Sequence, residues 1–163
     1  MLLICLGGLC VTLIVCGLSC YKGRPFRSNR SYVYQRFDGQ NHMSNTLFRP
    51  NRFSGFYYKD GVWHGSEHFT LAFYPQADNT VYGKGVDHLG AFVVTGVYSP
   101  RTLRMAFDKH YQADSKHPGQ IMTIQIAWQP NSQQFEGKYY LKVGQHQEKQ
   151  NYRALITTNT YTR

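Results

Sequence analysis

His64 and His68 stand four residues apart in His64-Gly65-Ser66-Glu67-His68, a spacing that on a helix would turn two imidazoles to one face, as a metal site requires. On extended chain the same spacing separates the Cα atoms by about 13 Å, too far for both rings to reach one zinc ion at about 2.1 Å unless Gly65 bends the backbone. The flanking residues read as strand, so the pair is expected as exposed turn histidines and not as metal ligands. Gly83-Lys84-Gly85-Val86-Asp87-His88-Leu89-Gly90 contains a Gly-x-Gly, which cradles phosphate only when it leads into a helix N-terminus. The next residues are Ala91-Phe92-Val93-Val94, a strand pattern. The glycines are therefore expected to supply positive φ or room for close backbone contact, with Asp87 bonding turn amides. For hydrolysis or proton transfer the nominees are Asp108, His110, Glu67 and Asp87, of which Asp108 and His110 share one face of a strand. Residue types alone do not bring a nucleophile, a base and an orienting group together, and no cysteine occurs after Cys20. With no complete catalytic or cofactor motif, the chain reads as a binding or accessory protein without enzymatic activity.

The elements that must position these residues are strands. From Phe53 onward Tyr, Phe, Val, Thr and Ile become frequent, and Gly, Asn, Asp or Pro punctuate the chain about every eight to twelve residues. The candidate strands are 53–59, 66–74, 80–86, 90–98, 102–111, 120–128, 134–143 and 150–157. Their alternation is plain: Leu103, Met105 and Phe107 oppose Arg104, Ala106 and Asp108, and Met122, Ile124, Ile126 and Trp128 form an unbroken apolar side. About eight short strands with tight links predict an all-β, antiparallel up-and-down meander that closes into a barrel to remove its own edges. The domain is expected over 53–157, with a short tail at 158–163. Aromatic side chains fall on nearly every strand, most of them for packing, with a minority suited to the mouth of a barrel around an apolar ligand.

Phe53-Ser54-Gly55-Phe56-Tyr57-Tyr58 resembles the phenylalanine, glycine, aromatic opening of lipocalin-type barrels. Phe135-Glu136-Gly137-Lys138-Tyr139-Tyr140 repeats that sense near the end and is similar to avidin-like meanders. The resemblance implies a calycin-type barrel and, with it, carriage of a small apolar ligand. It carries over no functional residue.

Ahead of the domain the chain changes character twice. Residues 1–20 hold no charge and all four cysteines, and about 20 apolar residues suffice to span a bilayer core as a helix. Lys22, Arg24, Arg27 and Arg30 come directly after them. Basic residues on that side favour a retained signal-anchor with the β-domain in the cytoplasm, where Cys16 and Cys20 would sit at the boundary as candidates for lipidation. The competing reading is a cleaved signal, with Gly17 and Ser19 flanking a cut before Cys20 and Asn29-Arg30-Ser31 as a glycosylation acceptor in a secreted protein. Residues 21–52 carry seven Lys or Arg against Asp38 alone and read as an irregular basic linker, and 53–163 hold eleven against eight acidic residues, so most of the net charge of +9 belongs to the linker. Beside a membrane such a stretch is attracted to anionic headgroups. Tyr21, Phe26, Tyr32, Tyr34 and Phe37 interleave it, but no recognition module accompanies them, so nucleic acid is not the expected partner. The expected partners are anionic lipid and another membrane protein.

Overall fold

The computed structural model describes residues 27–35, 46–143 and 146–157. Eight strands pair in sequence order and the last pairs with the first: β1 (Asn51–Lys59), β2 (Val62–Tyr74), β3 (Thr80–Asp87), β4 (Gly90–Ser99), β5 (Arg104–Tyr111), β6 (Ile121–Gln129), β7 (Gln134–Val143) and β8 (His146–Thr157). Every neighbouring pair is antiparallel, and closure sets Phe53 opposite Ile156 and Tyr57 opposite Tyr152. All eight expected strands are present, and the closed meander is compatible with a calycin-like barrel. β1, β2 and β8 begin earlier than the sequence pattern places them, because pairing to a neighbour extends a strand through glycine and polar residues that carry no apolar alternation. Leu103 lies just before β5, in a turn with φ of 53°.

Period-two alternation decides what the barrel encloses. Phe69, Leu71 and Phe73 of β2, Met105 and Phe107 of β5, Ile124 and Ile126 of β6, and Phe135 of β7 are all buried in one core. Gly83 and Gly85 supply close contact and not positive φ: a Cβ at Gly83 would overlap the Thr70 carbonyl, and one at Gly85 would press on Phe69 and Phe92. β3 is thereby drawn against β2. Asp87 accepts a hydrogen bond from Leu89 N at 2.8 Å, as its place at a turn suggests.

Two parts of the 21–52 stretch correct the picture of an irregular arm. A single helical turn, α1 (Asn29–Val33), is capped by Ser28, whose Oγ accepts from Ser31 N at 3.2 Å. It lies along β4 and β5, with Val33 fully buried. Arg104 donates to the Tyr32 carbonyl at 3.1 Å, and Thr102 donates to the Val33 carbonyl at 2.6 Å. Further on, Phe48 is only 7 % exposed and its ring reaches Tyr98, Phe73 and Phe135 at 4.9, 5.5 and 5.9 Å. Phe48 plugs the barrel end that carries the turns at 75–79, 100–103 and 130–133. A one-turn helix and a lone phenylalanine leave no period in the sequence, which is why neither stood out. Residues 1–20 lie outside the described residues. Among the described residues no helix is long and apolar enough to cross a membrane.

Candidate functional site

Among the described residues the opposite end of the barrel is open. The β1–β2 turn at Asp60-Gly61, the β3–β4 turn at His88-Leu89 and the segment 112–120 frame it. Inside lies a cavity of about 390 Å³, walled by Tyr57, Tyr111 and Tyr139 with Leu89, Met122 and Leu141, floored by Glu67, and rimmed by Lys59, His88, His117, Gln120 and Glu148. An apolar and aromatic lining with a few convergent polar groups is the usual composition of a small-molecule site.

Beneath this cavity a layer of charge crosses the barrel. The Lys109 ammonium sits 3.0 Å from Glu67 Oε1 and 2.8 Å from Asp87 Oδ2, and all three side chains are 3 % exposed or less. Tyr152 donates to Glu67 Oε2 at 2.9 Å, and Tyr111 donates to Asp87 Oδ2 at 2.6 Å. Lys109 also lies 4.0 Å from the Phe92 ring centroid, on its face. The inward parity of Glu67 on β2, Asp87 on β3, Lys109 on β5 and Tyr152 on β8 brings them to one level, and Gly55 on β1 makes room, since a Cβ there would overlap the Tyr152 hydroxyl. Burial would lift the Asp87 carboxyl, but the Lys109 charge and the hydrogen bonds from Lys109, Tyr111 and Leu89 N outweigh it and hold Asp87 below the usual carboxylate range. Burial first, and the neighbouring carboxylates after it, push the phenols of Tyr111, Tyr139 and Tyr152 well above their ordinary value.

The four residues nominated for proton chemistry divide in two. Glu67 and Asp87 are joined through Lys109 at the base of the cavity, whereas Asp108 and His110 point outward on β5 with separate partners. Asp108 accepts from Asn29 Nδ2 at 3.3 Å, and His110 Nε2 lies 3.3 Å from Thr95 Oγ1. His64 and His68 belong to β2 and not to a turn: His64 stacks on Tyr57 at 5.2 Å, and His68 Nε2 meets Ser66 Oγ at 2.9 Å. Among the described residues no three His, Cys, Asp or Glu side chains gather as a metal site would need. Lys109 was missed, although its signal is in the sequence. The alternation Met105, Phe107, Lys109, Tyr111 places it on the inward face, and an inward lysine must find carboxylates.

Cys16 and Cys20 of the apolar segment and Lys22 and Arg24 of the linker lie outside the described residues. Arg27 accepts at its carbonyl from Gln125 Nε2 at 2.9 Å, and Arg30 pairs with Asp78 at 2.6 Å on the surface. The Asn29 side chain donates to Asp108 and accepts from Gln125 Nε2 at 3.1 Å, two bonds that a glycan on Nδ2 would disturb. A larger concavity of about 700 Å³ runs over the outer surface of β2, β3 and β4, past His68, Lys84 and Val93. Tyr82, Val86 and Val93 stand exposed beside it, and Tyr74 meets Tyr82 edge to face at 5.8 Å. It is the wider hollow, and it lies outside the barrel, whereas the hollow of the open end is set among Glu67, Tyr111 and Tyr139, which are buried side chains. No protein-family model, no curated protein and no solved structure matches the chain.

Proposed function

We propose that this chain is a non-enzymatic binding module, tethered to a membrane by residues 1–20 with the barrel on the cytoplasmic side, which takes a small amphipathic molecule into the open end of the barrel. The observation that carries the binding reading is the contrast between the two ends: Phe48 fills one against the rings of Tyr98, Phe73 and Phe135, and the other keeps a cavity of about 390 Å³ with Glu67, Gln120 and Glu148 among its lining. The carboxylates at its base are held by Lys109, Tyr111 and Tyr152 in an arrangement suited to fixing a shape. That favours a receptor over a catalyst.

The tether rests on the sequence, where the uncharged run of 1–20 leads into Lys22, Arg24, Arg27 and Arg30. Arg52 and Lys84 beside the exposed Tyr82 and Val93 add a surface suited to anionic headgroups or to an acidic protein partner. The runner-up is a secreted carrier of a small apolar ligand, with a mature N-terminus at Cys20 and a glycan on Asn29. The two bonds made by the Asn29 amide weigh against that glycan.

A thermal-shift screen of small amphipathic molecules on the full-length chain tests the binding reading when repeated on Met122→Trp, which fills the cavity. Molecules that raise the melting temperature of the native chain and leave the variant unmoved support it, whereas equal shifts in both place binding elsewhere. Sequencing the N-terminus of the native protein tests the tether. Met1 retained in a membrane fraction supports it, and a chain beginning at Cys20 favours the carrier.

A further inference from the structure

We propose that the open-end cavity selects an organic ammonium ion, a protonated amine carrying an apolar or aromatic group; this rests on the ligand-binding reading of the barrel. Three independent features of the cavity point to that chemistry. The first is its aromatic wall. Tyr57 and Tyr139 meet edge to face at 5.9 Å with an interplanar angle of 87°, and His88 lies against Tyr57 at 6.1 Å. Such a wall accepts the apolar part of a ligand, and its electron-rich rings favour a cation over an anion in the same molecule.

The second feature is where the charges sit. Glu67 faces the cavity from the floor and Glu148 from the rim, while the ammonium that neutralises Glu67, that of Lys109, does not line the cavity and rests on the face of Phe92 at 4.0 Å. The other cation, Lys59, stands at the mouth with 43 % of its side chain exposed, 3.2 Å from Glu148. The interior is therefore left with carboxylate facing inward and ammonium facing outward or away. After burial itself, Glu67 acts most to raise the Tyr57 phenol, Lys59 acts against it by less, and Asp87 and Glu148 raise it further, so the carboxylates outweigh the ammonium at this wall. An anion brought into this space would meet that negative balance, with Lys59 at the mouth as the one ammonium among the described lining residues.

The third feature is an acceptor without a donor. Gln120 lines the cavity, and its Oε1 is buried with no hydrogen-bond partner among the described residues. A buried acceptor left unmatched calls for an unseen donor, and an ammonium brings up to three N–H groups. Tyr139 and Lys59 already donate to Glu148, and Tyr152 and Lys109 to Glu67, so a ligand ammonium would join these donors on the second lone pair of a carboxylate oxygen.

Calorimetric titration of the full-length chain in a neutral detergent, with detergent alone subtracted, tests the inference with four probes of similar size. These are phenethylammonium, phenethyltrimethylammonium, the neutral 2-phenylethanol and the anionic 3-phenylpropanoate. Phenethylammonium is expected to bind about tenfold or more tighter than the alcohol, with the carboxylate weakest. The trimethyl compound, which keeps the charge and loses every N–H, is expected between the ammonium and the alcohol. An arm with Nα-acetyl-lysine methylamide asks whether the amine comes from a protein side chain, and tighter binding of that probe keeps the chemistry and changes its source. Glu148→Gln, a half-exposed position, should cost the ammonium about three- to tenfold and leave the alcohol unchanged. Gln120→Met should narrow the gap between the ammonium and its trimethyl analogue. Equal or tighter binding of the alcohol or the carboxylate overturns the cation selectivity and leaves a ligand-binding barrel. If none of the probes binds, both the selectivity and the ligand-binding reading fall.

Discussion

Lys109 is a fully buried lysine in a small barrel, and its neighbours explain how that burial is tolerated. Two carboxylates within 3.0 Å and the face of Phe92 surround the ammonium, Tyr152 donates to the far oxygen of Glu67, and on Asp87 Leu89 N bonds the far oxygen while Tyr111 shares Oδ2 with Lys109. Removing one member strands the rest. Lys109→Met should cost about 3–5 kcal/mol in denaturant unfolding because it leaves two carboxylates facing each other in the barrel. Adding Glu67→Gln and Asp87→Asn to that variant should recover a substantial part of the loss, since a neutral layer has no charge left to desolvate. A loss under about 1 kcal/mol for the single variant would show that water reaches the layer. The same groups set the pH dependence. The Asp87 carboxyl is depressed in the fold, so its contribution is fully present above the unfolded value near 3.8 and is lost as the pH falls through the lower folded value. The phenols of Tyr111, Tyr139 and Tyr152 are raised, so their contribution is present below the ordinary value of 10.0 and declines above it, where the unfolded chain ionises first. Melting temperatures across pH should therefore hold a plateau between about 4 and 10 as far as these groups are concerned and fall on either side. A fall beginning near neutrality would implicate other groups.

Among the elements, the strands were legible and the packing that closes one barrel end was not. Alternation such as Met122, Ile124, Ile126 and Trp128 states directly which face is buried, and each of the eight strands carries some version of it. Phe48 carries no such mark, because a side chain that inserts from a connecting segment answers to the three rings around it and not to its own neighbours in the chain. The same holds for α1, whose single turn is capped locally by Ser28 and otherwise fixed by Arg104 and Gln125 from elements far away in sequence. Phe48→Ala should cost about 3–5 kcal/mol and open the plugged end, read as a lower denaturant midpoint and faster amide exchange near Tyr98 and Phe135. A cost under about 1 kcal/mol would mean that the plug is dispensable. The candidate site was half legible in the same way. Glu67 and Asp87 drew attention as carboxylates, but only the register of β2, β3, β5 and β8 brings them to Lys109 and Tyr152.

At the scale of the whole molecule, closure removes every exposed sheet edge, since β1 and β8 pair with each other through Phe53 and Ile156. A barrel of this size needs its interior filled, and here the filling is graded from the tilted and edge-on rings at the Phe48 end, through the buried charge layer, to the cavity walled by Tyr57 and Tyr139. On the binding reading, this last region receives a ligand. Methionine offers a direct probe, because Met122 lines the cavity whereas Met105 is fully buried in the core and does not line it. The decisive measurement is the methyl spectrum of the full-length chain, carbon-13 labelled at methionine, during titration with small amphipathic molecules that include the four calorimetric probes. Ligand entry at the open end predicts a saturable shift of the Met122 methyl with Met105 nearly still, abolished when Leu89→Trp occupies the mouth. A Met122 signal that stays fixed across the whole set, or one that moves only together with Met105, would contradict it.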